Sequence, residues 1–437
     1  MKQHILKSGF LFSDLLAGGK VNWHLRNMRE LYSSSAKMSE FRAAKLKEIL
    51  EYACRSTAHY ASFAGANRLQ DFPVLSQATL RYSLEDFTTG DKKVLENSVQ
   101  ASTSGSYGMP MVFSFDRDKY ARRRAEVIHF NSLAGFELGM RYARIHTSLK
   151  AIQSTSSAMA RRQNLFDIYL SGTADNHLGA ACERLSEGKM DVLLGWPSLL
   201  SGLVAFADKR NVKVPKLRTI VSYGEVLTDE DRELIGKAFG CPVFDRYACT
   251  ELGVIAHDFP GGPRLGINEA SYVVELLEPE RDLPAKPGTR GRVVITDLYS
   301  KAIPLIRYDT GDTALVAEAG LRPHISRIEG RYNETIFDTK GNPMLSLQLY
   351  SALDWSQKKL MRQFQIAQTA ETSYELVVIP KSRLDACALV SGMKAVLGED
   401  AEVAVRLVDK IDPLPSGKRP VIVNRVQQAN SASRDPS

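Results

Sequence analysis

A run of small residues, "STSGSYG" from Ser102 to Gly108, has the composition of an anion-binding loop. Serine, threonine and glycine let backbone N–H groups come close to a ligand, and phosphate is the anion such loops commonly hold. The run lacks the glycine spacing and the Lys-Ser/Thr ending of the common nucleotide loop. Neither Ser104 nor Ser106 has a glycine two residues away on both sides, as a nucleophile elbow requires. On composition alone, the alternative is a flexible loop.

Four further stretches place carboxylates, arginines or a lysine beside glycine or aromatic residues. They are "SYGE" at 222–225, "DRYACTE" at 245–251, "RYDTGD" at 307–312 with "RIEGR" at 327–331, and "PSGK" at 415–418. Taken singly, each has an ordinary explanation. Glu251 could cap a helix and Asp312 could belong to a turn. Arg331 and Lys418 could be solvated cations.

The composition indicates a folded chain of enzyme size. Its 437 residues are 44% hydrophobic and 24% charged, which predicts two or three folded units. The net charge of +7 comes from 57 basic against 50 acidic residues. Such a mild excess fits nucleotide or coenzyme substrates as readily as nucleic acid. The "RRR" run at 122–124 is expected to be a solvated helix face, so no nucleic-acid partner is predicted.

The cysteines and the N-terminus predict a soluble cytoplasmic protein. The five cysteines form no CxxC pair, which favours a reducing compartment and argues against a zinc module. His257 has no Cys or His nearby in the sequence, so a packing role is expected. Lys7 and Asp14 interrupt the first apolar stretch, which favours an amphipathic helix over a signal peptide. No run is long enough to insert into a membrane. A homodimer is the default oligomer.

Between residues 190 and 260 the pattern alternates between buried strands and amphipathic helices. Helices are predicted in "WPSLLSGLVAFADKRN" and "TDEDRELIGKAFG", and strands in "LRTIVSYG" and "CPVFDRY". Such alternation indicates an α/β fold with a parallel sheet, whose ligands bind at the carboxyl ends of the strands. The stretches "SYGE" and "YACTE" are therefore where a site is expected.

The flanking regions have other patterns. Residues 20–65 have helical spacing, and residues 270–330 read as short strands in "SYVVELLEP", "GRVVITDL" and "TALVAEAG". The last hundred residues predict a small α+β unit, with strands near "QFQIAQT", "YELVVIP" and "EVAVRLVD" and a helix near 383–397. A boundary is predicted near "RIEGRYNET", and residues 431–437 are predicted to form a disordered tail.

The five stretches, in this order and spacing, resemble the motifs of the adenylate-forming enzymes, which include acyl-CoA synthetases. The helical opening, "FPVLSQATLR" at 72–81 and "GWPSLL" at 195–200 resemble the phenylacetate-CoA ligase branch and its relatives from capsule gene clusters. The resemblance covers nearly the whole chain. It implies a large N-terminal domain, residues 1–330, that binds ATP and the acid, and a small mobile lid, residues 331–430, that carries Lys418.

The resemblance also implies roles for these residues. The phosphates of ATP would be wrapped by Ser102, Thr103, Ser104, Gly105, Ser106 and Gly108. Glu251, with Thr250 beside it, would hold Mg²⁺, a cation that prefers oxygen ligands. Tyr247 would stack on adenine opposite the turn formed by Tyr223, Gly224 and Glu225, and Asp245 is counted with the nucleotide-binding residues.

Three further roles concern ribose and the reacting groups. Asp312 would accept hydrogen bonds from the ribose hydroxyls. Arg331, with Arg327, would lie near ribose and phosphate at the hinge between the two domains. Lys418 would bridge the substrate carboxylate and the α-phosphate, where negative charge converges.

The implied reaction has two steps. A small-molecule carboxylic acid and ATP give an acyl-adenylate and pyrophosphate, and the acyl group then passes to a thiol, with coenzyme A the leading acceptor. The segment "KGNPMLS" departs from the branch's glycine-led pattern, which keeps open an amine or the phosphopantetheine thiol of a carrier protein as the acceptor. Met111 replaces the usual lysine and Asn333 the usual aspartate, so a non-catalytic nucleotide-binding module is the third alternative.

Overall fold

The computed structural model describes most of the chain. The described residues are 2–66, 68–102, 112–146, 157–170, 175–261, 264–279, 281–317, 323–331, 336–342, 344, 349, 353, 357, 360–411 and 422–426. The chain divides into two compact units. The first comprises Met1–Thr310 and Ala314–Ile328, and the second comprises Gly311–Thr313 and Glu329–Ser437. The tail predicted at 431–437 lies outside the described residues.

Helices open the first unit. They are α1 (Lys2–Leu16), α2 (Lys20–Tyr32) and α3 (Ser35–Ser56), followed by the short helices α4 (Gln77–Tyr82), α5 (Leu84–Phe87) and α6 (Lys92–Glu96). Asp14 joins the first two, because its carboxylate accepts hydrogen bonds from the backbone and the side-chain amide of Asn22 at 2.9 and 2.7 Å. Among the described residues, no helix is both long and apolar enough to cross a membrane.

A hairpin and a long helix follow. The strands β1 (Val99–Ser102) and β2 (Val112–Phe115) pair antiparallel and lead into α7 (Arg117–Leu133). Asp116 caps α7, since its carboxylate accepts from the backbone N–H of Lys119 at 2.9 Å. One apolar side of α7 packs against α2 through Ala125 and Leu25.

A seven-stranded sheet forms the centre of the first unit, in the order β4-β3-β5-β6-β7-β8-β9. Its strands are β3 (Tyr142–His146), β4 (Leu165–Tyr169), β5 (Val192–Gly195), β6 (Thr219–Tyr223), β7 (Val243–Cys249), β8 (Gly253–His257) and β9 (Gly266–Ile267). Among the described residues, four helices connect them: α8 (Ser157–Gln163), α9 (Asp175–Gly188), α10 (Pro197–Arg210) and α11 (Asp229–Phe239). The pairs from β4 to β7 are parallel, which confirms the predicted parallel sheet.

A second sheet of four strands has the order β10-β11-β12-β13. Its strands are β10 (Tyr272–Leu277), β11 (Arg290–Asp297), β12 (Tyr308–Val316) and β13 (Ile325–Arg331). The core beneath it includes Phe113, Ile255 and Val293, all fully buried. The boundary between the two compact units runs through β12 and β13.

The second unit is a small α+β fold. The strands β14 (Met361–Gln368), β15 (Ser373–Pro380), β16 (Glu402–Leu407) and β17 (Ile422–Asn424) lie in the order β16-β15-β14-β17, and α12 spans Ala386–Leu397. Asp385 caps α12 by accepting from the backbone N–H of Ala388 at 3.0 Å. The predicted strands and helix are all present here.

Helix α7 corrects one prediction. The "RRR" run was expected to be a solvated face, but Arg122 is fully buried. Its guanidinium donates to the Ser271 hydroxyl at 2.9 Å and to the Ala270 carbonyl at 2.7 Å. Of the three, Arg123 is half-buried and only Arg124 is exposed. The prediction was wrong because these polar partners come from a segment about 150 residues away in sequence, which no local pattern reveals.

Candidate active site

Two of the predicted site stretches lie side by side at the carboxyl ends of parallel strands. Strand β6 ends at Tyr223, which is in register with Arg246 on β7. The turn that follows β6 and the turn that follows β7 therefore open at the same edge of the sheet. This is the edge where open α/β sheets bind their ligands.

The turn after β6 is shaped by a glycine and an indole. Gly224 has a φ of 83°, a left-handed conformation that side chains disfavour. A Cβ at this position would lie 2.8 Å from Nε1 of Trp196. The flat ring that lies against Gly224 is thus this indole, and the adenine contact predicted for the turn stays a prediction.

Glu225 has a structural partner in the same turn. Its carboxylate accepts a hydrogen bond from the backbone N–H of Ser198 at 3.1 Å. Because Pro197 is the first residue of α10 and has no N–H, Ser198 is the first donor of that helix. Glu225 therefore caps α10 and fixes the position of the turn relative to it.

Asp245 on β7 belongs to a pair of carboxylates. The backbone N–H of Asp245 donates to the carboxylate of Asp258 at 2.8 Å, and the backbone N–H of Asp258 donates to the carbonyl of Asp245 at 3.0 Å. Arg232 neutralises Asp258 at 2.6 Å. Burial, and then the neighbouring Asp258 charge, raise the pKa of Asp245 to about 7.

Tyr247 points away from the Arg246 side of the sheet. Its ring packs in the main core and is only 9% exposed, and its hydroxyl donates to Oγ1 of Thr310 at 3.2 Å. The Thr310 hydroxyl in turn donates to the carbonyl of Val293 at 2.9 Å. This ring therefore leaves little free surface, and its stacking on adenine stays a prediction.

Glu251 has a carboxylate without a partner among the residues that the structure describes. Thr250 and Glu251 form the turn between β7 and β8, and both are half-buried. Glu251 makes no hydrogen bond or ion pair within the described part of the chain. A free, partly exposed carboxylate fits Mg²⁺, which keeps several waters and binds one or two carboxylates together with substrate phosphates. The described residues include no cluster of three or more ligands that could hold a metal by themselves.

The sequence of the chain is similar to those of two known proteins. No family model matches the chain. It is 21% identical to protein CapK of Staphylococcus aureus over an alignment of 453 residues, which covers 96% of this chain and 98% of CapK. It is 26% identical to the phenylacetate-coenzyme A ligase of Pseudomonas putida over 155 residues, 33% of this chain and 35% of that enzyme.

A solved structure matches over nearly the same length. The 2-hydroxyisobutyryl-CoA ligase, in the postadenylation state in complex with R3-HIB-AMP, has a TM-score of 0.69 and 18% identity, with 92% of each chain covered. The chain therefore shares the fold of this ligase. A second structure of that ligase, with 2-HIB-AMP and CoA in the thioesterification state, has a TM-score of 0.55 and 19% identity, and covers 92% of this chain and 93% of the ligase.

Several adenylate-forming motif residues lie outside the described part. These are Thr103, Ser104, Gly105, Ser106, Gly108 and Lys418, together with the side chains of Ser102 and Arg331. Ser102 ends β1 and Arg331 ends β13. Arg327 is half-buried on β13, and Asp312 is half-buried on β12, in the second unit. The roles predicted for these residues stay predictions.

Two charged residues of the site region were missed in the sequence. Asp258 reaches Asp245 because β8 folds back antiparallel on β7, and no local pattern gave that register. Arg246 is buried, at 7% exposed. A signal for Arg246 was present, because side chains alternate along a strand and a charge at this position must enter one face of the sheet.

Proposed function

We propose that the chain activates a small carboxylic acid with ATP and passes the acyl group to a thiol, with coenzyme A as the leading acceptor. The observation that carries the proposal is the carboxylate of Glu251, which has no partner among the described residues and lies in the turn that follows β7, at the same edge of the sheet as the turn after β6. The 2-hydroxyisobutyryl-CoA ligase, whose fold the chain shares, has a structure in the postadenylation state in complex with R3-HIB-AMP, which supports the proposal.

The first step joins two anions. A carboxylate oxygen of the acid attacks the α-phosphorus of ATP, the bond from that phosphorus to the bridging oxygen breaks, and pyrophosphate leaves. Catalysis then consists mainly of positioning and of compensating negative charge. Bound Mg²⁺ would supply positive charge to the phosphate oxygens, and Glu251 would hold it.

The other motif residues have proposed parts in the same step. The serines and glycines from Ser102 to Gly108 would donate hydrogen bonds to the β- and γ-phosphates. Asp312 would accept from ribose, and Arg327 and Arg331 would lie near ribose and phosphate. Lys418, carried by residues 331–430 acting as a lid, would place its ammonium between the acid and the α-phosphate.

ATP–pyrophosphate exchange with a panel of carboxylic acids tests the first step. We expect exchange that depends on an acid and on Mg²⁺, and a loss of about 100- to 1000-fold in Glu251→Gln and in Lys418→Ala, the usual cost of removing a preorganised charge. The control Glu233→Gln, in an exposed ion pair with Lys237, should exchange normally. Exchange without any acid, or a Glu251→Gln variant as active as the wild type, would contradict the proposal.

The acceptor needs a separate measurement. Consumption of free coenzyme A, dependent on acid and ATP, would identify the thiol ligase. If coenzyme A is not consumed while hydroxylamine or a phosphopantetheinylated carrier traps the acyl group, the acceptor is an amine or a carrier protein. Tight ATP binding with no turnover on any acid would indicate a non-catalytic nucleotide-binding module.

A further inference from the structure

Arg246 is an exception among the buried cations. Four lysine or arginine side chains in the described residues are buried: Lys119, Arg122, Arg246 and Arg307. Lys119 lies 2.6 Å from Asp297, Arg122 lies 3.8 Å from Glu126, and Arg307 lies 3.1 Å from Glu275. Across the described ranges, Arg246 has no carboxylate partner.

The hydrogen bonding of Arg246 is also incomplete. One terminal nitrogen donates to Oδ1 of Asn131, near the end of α7, at 2.5 Å. Its Nε–H is buried and has no acceptor within the described residues. A guanidinium offers five N–H donors, so most of this fork has no acceptor in the described part of the chain and can bind a ligand. The backbone N–H of Arg246 donates to the carboxylate of Asp245, but that bond does not involve the guanidinium.

Burying an unpaired cation costs free energy. Burial lowers the pKa of Arg246 to about 10, which still leaves it charged at neutral pH. His257, in register with Arg246 on β8, offers no opposite charge, because an imidazole is either neutral or cationic; burial and the Arg246 charge hold its pKa well below the ordinary value, which keeps it neutral. A group that is costly to bury and left unpaired is typical of a site where a ligand supplies the partner.

Arg246 lies on the same face of the sheet as Tyr223, the last residue before the Gly224 turn. Alternation along β7 turns Arg246 away from Tyr247 and toward Tyr223, its neighbour in register. Aromatic and apolar residues line the same face: Phe136, Tyr142, Leu194, Val221, Tyr223 and Phe244. Arg144 also lies there, but it forms a forked pair with Asp167 at 2.9 and 3.2 Å.

We propose that Arg246 pairs with a second anionic group on the acid substrate, so that the chain activates acids carrying a further carboxylate or phosphate. One carboxylate would react at the carboxyl edge of the sheet, and the second anion would lie on the Arg246 fork, between Tyr223 and Asn131. Bidentate pairing suits both carboxylate and phosphate oxygens. The inference rests on the proposed function, because it assumes that the acid binds at this edge.

Matched acids test the substrate class. ATP–pyrophosphate exchange is measured with succinate against butyrate and with 3-phosphoglycerate against glycerate, in the wild type, Arg246→Met and Arg246→Lys. We expect the wild type to favour the doubly anionic member at least tenfold in kcat/KM. The pair that shows this preference identifies the second group as carboxylate or phosphate. Arg246→Met should abolish the preference, and Arg246→Lys should keep part of it, because lysine retains the charge without the fork.

A control variant and a stability measurement separate this role from a structural one. Arg292→Gln removes a partly buried arginine that has carboxylate partners, and it should leave the preference unchanged. Arg246→Met should melt at or above the wild-type temperature without ligand, because an unpaired buried charge is removed. A much lower melting temperature with an unchanged preference would show that Arg246 is structural and would overturn the inference.

A ligand-dependent thermal shift keeps the two proposals distinct. Succinate or 3-phosphoglycerate should raise the melting temperature of the wild type but not of Arg246→Met, with butyrate at equal ionic strength as the reference. Exchange absent for every acid would overturn the proposed function, while this shift would still support the anion site. Equal shifts in the wild type and Arg246→Met, or a wild-type preference for the singly charged acids, would overturn the anion site.

Discussion

Asp245 gives a prediction that links the carboxylate pair of the site to the stability of the whole chain. Its carboxyl group has a pKa of about 7 instead of the ordinary 3.8, because of burial and the nearby Asp258 charge. In the wild type, the backbone N–H of Arg246 donates to Oδ1 of Asp245 at 2.9 Å. Asp245→Asn removes the ionisation but keeps a side-chain oxygen that can accept this hydrogen bond. The substitution therefore isolates the cost of the charge.

The size and the sign follow from proton linkage. The folded chain binds the Asp245 proton more tightly than the unfolded chain, so the stability contributed by this group is complete below pH 3.8 and is lost as the pH rises toward 7. At about 1.4 kcal/mol per pKa unit, the loss of unfolding free energy reaches about 4 kcal/mol above pH 7. About half of this loss, about 2 kcal/mol, occurs as the pH rises from about 5.5 to about 8.5.

Urea unfolding of the full chain at these two pH values measures the effect. The unfolding free energy of Asp245→Asn, relative to the wild type, should rise by about 2 kcal/mol from the lower to the higher pH. Asp258→Asn is the control, since it removes the carboxylate that Arg232 contacts at 2.6 Å and should lower stability at both pH values. Parallel pH profiles for the wild type and Asp245→Asn would refute the assignment of a raised pKa to Asp245.

Two further substitutions test the packing around the site. Gly224→Ala should lower the unfolding free energy by about 2 kcal/mol and reduce acid-dependent exchange, because the new Cβ would lie 2.8 Å from Trp196 and the backbone conformation would be strained. Gly261→Ala is the control for the strain alone, since Gly261 has a φ of 62° and a Cβ there would meet no described atom within 4 Å. Lys119→Met should lower the unfolding free energy by about 3–5 kcal/mol, because the Asp297 carboxylate is left buried without a counter-charge. Adding Asp297→Asn should restore part of that loss, and a purely additive double variant would show that the pair does not interact.

The sequence predicted the part of the site that local periodicity controls. Alternating strands and helices between 190 and 260 predicted parallel strands, and parallel strands bring Tyr223 next to Arg246. The capping pattern at Thr228 also marked the start of α11, where its hydroxyl accepts from the backbone N–H of Asp231 at 3.0 Å. These features depend on neighbours within a few residues, so a single sequence contains them.

The features that the sequence did not reveal depend on distant partners. Helix α7 carries Lys119, Arg122 and Glu126 on a buried face, a pattern that resembles a solvated helix until Asp297 and Ser271 are placed against it. The pKa of Asp245 likewise depends on how β8 folds back on β7. Tertiary placement of polar groups therefore limited the interpretation more than secondary structure did.

The buried charges also indicate which residue selects the acid substrate. The fold buries Lys119 and Arg122 beneath the sheet and compensates both with carboxylates, so burial of charge here is normally paired. Helix α7, which carries both, also supplies Asn131, the one hydrogen-bond partner of the Arg246 side chain among the described residues. The same helix thus carries two buried cations that are paired with carboxylates, and it contacts Arg246, which has no carboxylate partner among the described residues. Since the fold supplied counter-charges elsewhere and not at Arg246, the missing charge is best explained by a ligand, and the choice of acid would then be made at Arg246.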